Sequence, residues 1–325
     1  MSEATLDDFG TKLKTGKTGE AVKNIPTQEK ISSTGRYRKS YVNGEAQWAS
    51  VMESDYVGIS KAVRELPSGK YGVYLDNEGA VHFSLEIIKY DEIIRFTDSV
   101  ADTVLKEIEH FWNIKSKFKK NKFLHRRGYL FYGPQGSGKS IITQQIINGV
   151  IELNGIAING AVRPDILIEA IKKFRKIEPD RPIVVIFEDI DAIITRWGEP
   201  EILSYLDGED KQDTILNIAT TNYPEVLDKR IVSRPKRFDR VIKIDMPDIN
   251  IRKEYFRYKM PKISNDKLEQ WSISTENFSF AALADLIISV KCFGYKFEEA
   301  VDKLKLFINS SPNSNEFKDS KLGFK

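Results

Sequence analysis

A single cysteine, Cys292, stands among the 325 residues of the chain. One thiol cannot close an internal disulfide, so no covalent staple of that kind supports the fold. The three histidines, His82, His110 and His125, are scattered and form no metal-ligand spacing with it. Cys292 falls in a helix-like stretch and reads as a buried helix residue. No run approaches the ~20 apolar residues of a membrane span. The N-terminus, MSEATLDDFG, is acidic and polar, unlike a signal peptide. These absences predict a soluble, cytoplasmic protein in a reducing compartment, with no membrane partner. A strong charge of either sign is also absent. Fifty basic against 47 acidic residues leave a formal +3, so any basic footprint for nucleic acid has to be local. There is no internal repeat.

What remains is ordinary globular material, 41% hydrophobic and 30% charged, with a length that suits about two domains. Residues 1–50 are rich in Lys, Thr, Ser and Gly and poor in large apolar groups, which predicts disorder or loose order. They contain Gly16-Lys17-Thr18, but Thr11 stands where a phosphate loop needs glycine and no apolar strand precedes it. Residues 51–98 read as a small separate unit and candidate substrate adaptor. Two β-prone runs, beginning at Tyr71 and Ala80, flank a turn at Asn77-Glu78-Gly79. Two strands alone are marginal, so this unit is expected to dock elsewhere. Residues 99–127 read as a linker helix, apolar at Val100, Val104, Ile108, Phe111 and Trp112, followed by a basic connector.

From Gly128 strands and helices alternate. The strand-like runs are Tyr129–Tyr132, Ile156–Ile158, Ile183–Phe187, Thr214–Ala219 and Val241–Ile244. Helical stretches lie at Ser140–Leu153, Pro164–Ile177 and about Glu199–Leu206. Alternation of this kind predicts an α/β fold with a parallel sheet covered by helices, here over 128–248. The Ile183 run is apolar throughout, as a strand buried on both faces must be. Residues 249–311 read as an all-α lid, and 312–325 as a polar tail.

Gly133-Pro134-Gln135-Gly136-Ser137-Gly138-Lys139-Ser140 fits G-x-x-x-x-G-K-[ST], with a strand-like run before it and a helix-like run opening at Ile141. Glycines let backbone N–H groups wrap phosphates without a Cβ clash, and the following helix aims its positive end at them. Lys139 can reach the β- and γ-phosphates, and the Ser140 hydroxyl can bind Mg²⁺. The Ile183–Phe187 run ends in Glu188-Asp189. One acid there can hold Mg²⁺ and the other can orient or deprotonate water; which does which stays open. Asn222, after the Ile215–Ala219 run, sits where open parallel sheets bind ligands.

Together these segments resemble the AAA ATPases. The strand and loop through Ser140 are similar to that family's Walker A, and Phe187-Glu188-Asp189-Ile190-Asp191 to its Walker B. Leu203-Ser-Tyr-Leu-Asp-Gly208 resembles its L-x-x-L-D-G helix end, and Ala219–Asp228 its sensor 1 segment. Ser233-Arg-Pro-Lys-Arg-Phe-Asp-Arg240 resembles R-P-G-R-F-D-R, and Thr275–Leu283 the opening of its lid helix. The resemblance implies ATP and Mg²⁺ as cofactors, Asn222 as sensor 1, and Arg237 and Arg240 as arginine fingers reaching a neighbouring subunit's γ-phosphate. It also implies a homo-oligomeric ring, expected to be a hexamer, that remodels a protein substrate. Three departures stand out. The acids read Glu then Asp, as in the subgroup containing the mitochondrial Rieske-protein translocase. No aromatic pore loop occupies Asn159–Asp165. Phe280 stands where glycine is usual.

Lys115–Arg127 holds seven cations and two phenylalanines. This predicts either a solvated connector whose phenylalanines pack on the core or a nucleic-acid stripe. The second option keeps a nucleic-acid-directed motor or loader as an alternative function. A nucleotide-dependent assembly scaffold is the other.

Overall fold

The computed structural model describes residues 47–50, 56–59, 63–77, 79–86, 93–97, 99–207, 213–232 and 237–309. Gly16–Thr18 and the 312–325 tail lie outside them, as do Arg234 and Lys236. The chain divides into two compact units, Met1–Leu66 and Pro67–Lys325. In the first, strands β1 (Gln47–Ser50) and β2 (Tyr56–Ile59) pair antiparallel, with Trp48 opposite Gly58.

The second unit is built on a seven-stranded sheet. Strands β3 (Gly69–Leu75) and β4 (Val81–Glu86) form the predicted hairpin. Its place differs from the expectation of a separate unit at 51–98. Gly69–Tyr71 pairs in parallel with Ile156–Ile158, so the hairpin is one edge of the main sheet. Two strands gain a hydrophobic face only by joining a larger sheet. The helix expected as a linker, α1 (Val100–Asn113), is also core. Its Val104, Leu105, Ile108 and Phe111 are buried against Tyr129, Phe131, Ile142 and Ile146.

The short α2 (Lys115–Lys120) leads to β5 (Arg126–Tyr132), α3 (Lys139–Glu152) and β6 (Ile156–Asn159). Next come α4 (Pro164–Ile177), β7 (Ile183–Phe187), α5 (Ile190–Trp197), α6 (Glu199–Asp207) and β8 (Ile215–Thr221). A 3₁₀ turn at Pro224–Val226, α7 (Lys229–Val232) and β9 (Arg240–Lys243) complete the α/β part. The strand order is β4-β3-β6-β7-β8-β5-β9, parallel except for the β3–β4 pair. All five residues of β7 are buried, as its unbroken apolar run requires. Polar Asn217 of β8 is 1% exposed, and its Oδ1 accepts from the Tyr205 hydroxyl at 2.8 Å.

The lid holds α8 (Ile249–Lys259), α9 (Asn265–Ser274), α10 (Phe280–Lys291) and α11 (Phe297–Asn309). Asp248, Ser264 and Ser279 cap the first three through their side chains. The lid core joins Phe256, Trp271, Leu283, Leu286 and Phe297 with Phe96 from the segment before α1. Cys292, expected to be buried, is exposed. It caps α10 at its C-terminal end, beyond the last turn that packs inward.

The basic run divides. Lys115 pairs with Asp180, Arg126 donates to the Leu206 carbonyl, and Arg127 lies 3.6 Å from Glu107. Phe118 packs edge-on against Phe111 and His125, whereas Phe123 is 70% exposed. The expectation that both phenylalanines pack holds for Phe118 and fails for Phe123. Lys122 adopts φ 60° after α2, and the Phe123 N–H reaches back to the Phe118 carbonyl, which turns the chain and leaves the ring outside.

His125 is buried, stacked on Phe111 at 4.0 Å, and its Nε2 donates to the Phe111 carbonyl at 2.8 Å. Nδ1 has no partner among the described residues. Burial lowers its pKa, against an opposing pull from the carbonyl bond. The neutral ring is therefore favoured in the fold, so this stability is full above the unfolded value near 6.5 and is lost as pH falls below it. The slope is at most about 1.4 kcal/mol per pH unit. Thermal melts from pH 7.5 to 5 are expected to show a drop in Tm that is smaller in His125→Gln; equal drops would assign it to other groups.

Candidate functional site

The loop between β5 and α3 forms one wall of a cleft at the C-terminal ends of the parallel strands. Gly136 (φ 76°) and Gly138 (φ 107°) take left-handed conformations open at low cost only to glycine. Gly138 is the N-cap of α3 and supplies no side-chain cap, unlike the Ser and Asp caps of the lid helices. The first N–H groups of α3 are thereby left to an external acceptor. Lys139 is buried, and its Nζ donates to the carbonyls of Gly133 and Pro134, each at 2.8 Å. Burial lowers its pKa and the charge of Asp189 opposes that. The Ser137 side chain is 2% exposed with its hydroxyl unpartnered among the described residues.

Opposite this wall, β7 and β8 end side by side. Asp189 follows β7 at φ 49°, which turns the chain sharply into α5. Its N–H donates to Thr220 Oγ1 at 3.1 Å, and its Oδ1 accepts from Asn222 Nδ2 at 3.3 Å. Thr221 Oγ1 donates to Asp191 Oδ1 at 2.6 Å. Asp191 is thus tied to the strand end.

The cavity between the walls has a volume of about 330 Å³. Gln135, Gly136, Gly138, Lys139, Ser140 and Ile141 line it on one side, and Glu188, Asp189, Thr220 and Asn222 on the other. These parts fit a nucleoside triphosphate with Mg²⁺: a glycine cradle, a buried ammonium and a group of oxygen donors. Ser140 and Glu188 are the side chains that can hold the metal.

The two arginines stand elsewhere; neither is among the residues lining the cavity. Arg237 is 3% exposed and grips Asp207 with both arms of its fork, Nε and Nη2 at 2.7 Å each, while Nη1 donates to the Arg230 carbonyl. The Asp207 contact raises its pKa further. The segment is clamped to β5 at Gly128, whose N–H donates to Asp239 at 2.9 Å. A Cβ at Gly128 would meet the Arg237 carbonyl oxygen at 2.1 Å. Arg240 pairs with Glu107 at 3.0 Å. Burial pushes the Glu107 carboxyl up, but its bonds from Arg240 and Tyr129 outweigh this and hold it below the usual range. Arg240 lies beside Tyr129 in the β5–β9 register. Gly133 is four residues further along, about 13 Å at the usual strand rise, beyond the reach of an arginine side chain from that position.

Asn159–Arg163 forms the β6–α4 connection. Asn159 Oδ1 accepts from the Ala161 N–H, and Arg163 Nε pairs with Asp165 at 3.0 Å. The connection carries no aromatic side chain.

A parallel sheet with a glycine loop joining β5 to α3 defines the P-loop nucleotide-binding class. Residues 129–246 match the family described as "ATPase family associated with various cellular activities (AAA)". Residues 129–246 therefore carry an AAA ATPase family domain. The chain is similar to the "Proteasome-activating nucleotidase" of Saccharolobus solfataricus, 30% identical over 266 residues, covering 71% of this chain and 65% of the relative. The "ATP-dependent zinc metalloprotease FtsH 2" of Sphaerobacter thermophilus is 27% identical over 225 residues, with coverage of 62% and 33%. A "Putative cell division cycle ATPase" of Plasmodium falciparum is 29% identical over 211 residues, with coverage of 58% and 16%. The chain thus spans less than two thirds of the length of each of these relatives. No helix among the described residues is long and apolar enough to cross a membrane.

Proposed function

We propose that this chain hydrolyses ATP at the contacts between copies of a homo-oligomeric ring, a hexamer by family resemblance, and uses the cycle to remodel a protein or protein complex. The observation that carries this reading is an incomplete site. One cavity gathers the loop, the lysine, the acids and the amide, yet among the described residues no arginine lines it. Arg240 is too far along its strand to reach its own loop. A second copy is the natural source of the missing charge.

The geometry supports the roles of the cleft residues, and the resemblance those of the two arginines. Backbone N–H groups of Gly136 to Ser140 bind the phosphates, with Lys139 exchanging its loop carbonyls for phosphate oxygens. Ser140 and Glu188 would hold Mg²⁺, which would supply positive charge to the phosphate oxygens. Asp189, fixed by Asn222, orients or deprotonates the attacking water. Arg237 and Arg240 of an adjacent copy stabilise charge on the transferred phosphoryl group. The relatives named as a proteasome-activating nucleotidase and a metalloprotease support a protein substrate. So does the basic run: three of its cations and one of its rings are engaged within the fold, which weakens the nucleic-acid alternative. Absence of an aromatic from the β6–α4 connection argues against residue-by-residue gripping of an extended chain there.

ATPase activity per chain, followed by dilution from micromolar to low nanomolar with sedimentation in parallel, tests this reading. Activity is expected to fall as the assembly dissociates. A rate per chain that stays constant down to the monomer would place a complete site within one copy.

A further inference from the structure

The phosphate cavity does not end at Ser140. Two apolar clefts adjoin it, one of about 520 Å³ on the side of Ile93, Tyr255 and Ala284, and one of about 390 Å³ on the side of Leu105, Ile142 and Ile251. Each has the size of a small-molecule site. Two side chains, Ile141 and Phe280, line all three spaces. Ile141 belongs to α3. Phe280 is the first residue of α10 in the lid, and its ring is the partition.

That ring is held on several sides. It stacks on Phe96 with centroids 5.4 Å apart and planes at 20°, and meets Tyr255 edge-on at 5.8 Å. A Cβ on Gly138 would come within 3.0 Å of its Cε2. The Phe280 N–H donates to the Gly136 carbonyl at 3.1 Å, tying the start of α10 to the loop. Each cleft that a base attached to phosphates in the central cavity would enter is bordered by Ile141 and by the Phe280 ring. The Phe96–Phe280 pair is already at stacking distance, so nothing planar fits between the two rings.

We propose that Phe280 is a gate against the base: in this conformation the chain accepts a polyphosphate, and a nucleotide base seats only when the ring leaves Phe96. Phe280 is then a specificity-determining residue that makes base recognition depend on lid movement. The inference rests on the phosphate-binding reading above. It implies that the wild-type chain gains little affinity from the base, because any contact won by seating it is offset by unstacking the aromatic cluster.

Isothermal titration of the full chain with ATP and with inorganic tripolyphosphate, both with Mg²⁺, tests this. In wild type the two dissociation constants are expected to agree within about threefold. Phe280→Ala keeps a good helix former after the Ser279 cap and opens the partition. It is expected to tighten ATP about tenfold or more, the scale of burying a base on apolar walls, with tripolyphosphate unchanged. Phe96→Ala, which frees the ring by removing its stacking partner, is expected to shift ATP the same way and serves if Phe280→Ala does not fold. A wild-type chain that prefers ATP over tripolyphosphate by more than about tenfold, with ATP weakened in Phe280→Ala, would make the ring a platform for the base and overturn the gate. Failure of the underlying reading looks different. Neither ligand would bind, or Lys139→Ala would bind both as wild type does, and the gate would fall with it.

Discussion

Arg237→Ala is expected to lower ATP hydrolysis per chain by about 10³-fold or more, with ATP affinity within a few-fold of wild type. The reason is geometric. The guanidinium is absent from its own chain's phosphate cavity, so ground-state binding there does not use it. In the proposed interfacial site, once released from Asp207, it would meet charge that grows in the transition state, where a planar fork with two parallel donors matches phosphoryl oxygens. The structure adds a second consequence. Arg237 is buried on Asp207 and on the Arg230 carbonyl, so its removal also weakens the fold. Asp207 is 38% exposed at its side chain, which screens the pair, and a loss of about 1–3 kcal/mol is expected. Mixing separates the two effects. Asp189→Asn chains lack the acid and keep the arginine, whereas Arg237→Ala chains have the reverse. Random co-assembly of equal amounts leaves about a quarter of interfaces with both groups intact, so activity returns on mixing two inactive preparations. If the mixture stays inactive, Arg237 acts only within its own chain and the interfacial site is wrong.

Lys139→Ala is expected to weaken ATP binding severely. Two charge-assisted hydrogen bonds to phosphate at about 1.5–3 kcal/mol each correspond to a loss of roughly 10²–10⁴-fold in affinity. The lysine is well placed to supply them. It is buried at the start of α3, and its present partners are neutral carbonyls of the same loop, which a phosphate dianion outcompetes. Without it, Gly133 and Pro134 lose a donor, so the variant's loop is also expected to loosen. Calorimetric titration of Mg·ATP and a thermal melt read the two effects separately. Retained affinity together with retained ATPase activity would remove the loop from the site altogether.

How much of this was legible from the residues follows the range of the forces involved. The P-loop was legible because its chemistry is local: glycine spacing, an apolar strand before, a helix after. The β7 boundaries and those of α4 were read to the residue, the first from an unbroken apolar run and the second from Pro164 at its start. Helix α5 was missed. Its N-cap, Asp189, offers no side-chain cap bond and turns in a left-handed conformation, so no start signal marks it. The β3–β4 hairpin was legible as a hairpin from its turn, but not its parallel pairing to β6, because backbone pairing leaves no residue-specific mark. The period of α1 showed an apolar face without saying what covers it.

The sequence by itself therefore determined the α/β class, the phosphate loop, the acids after β7 and the all-helical lid. Each depends on spacing within a strand, a turn or a helix, where neighbours in the chain are neighbours in space. Only the tertiary structure decided that the hairpin and α1 belong to the main body, and that Arg237 and Arg240 are engaged by Asp207 and Glu107, away from the cavity. It also brought Phe280 onto Phe96 and Gly138 and so divided the cleft beside the phosphates. Those outcomes depend on side chains far apart in the chain meeting in one close-packed interior, where a contact is fixed by the shape left by all the others.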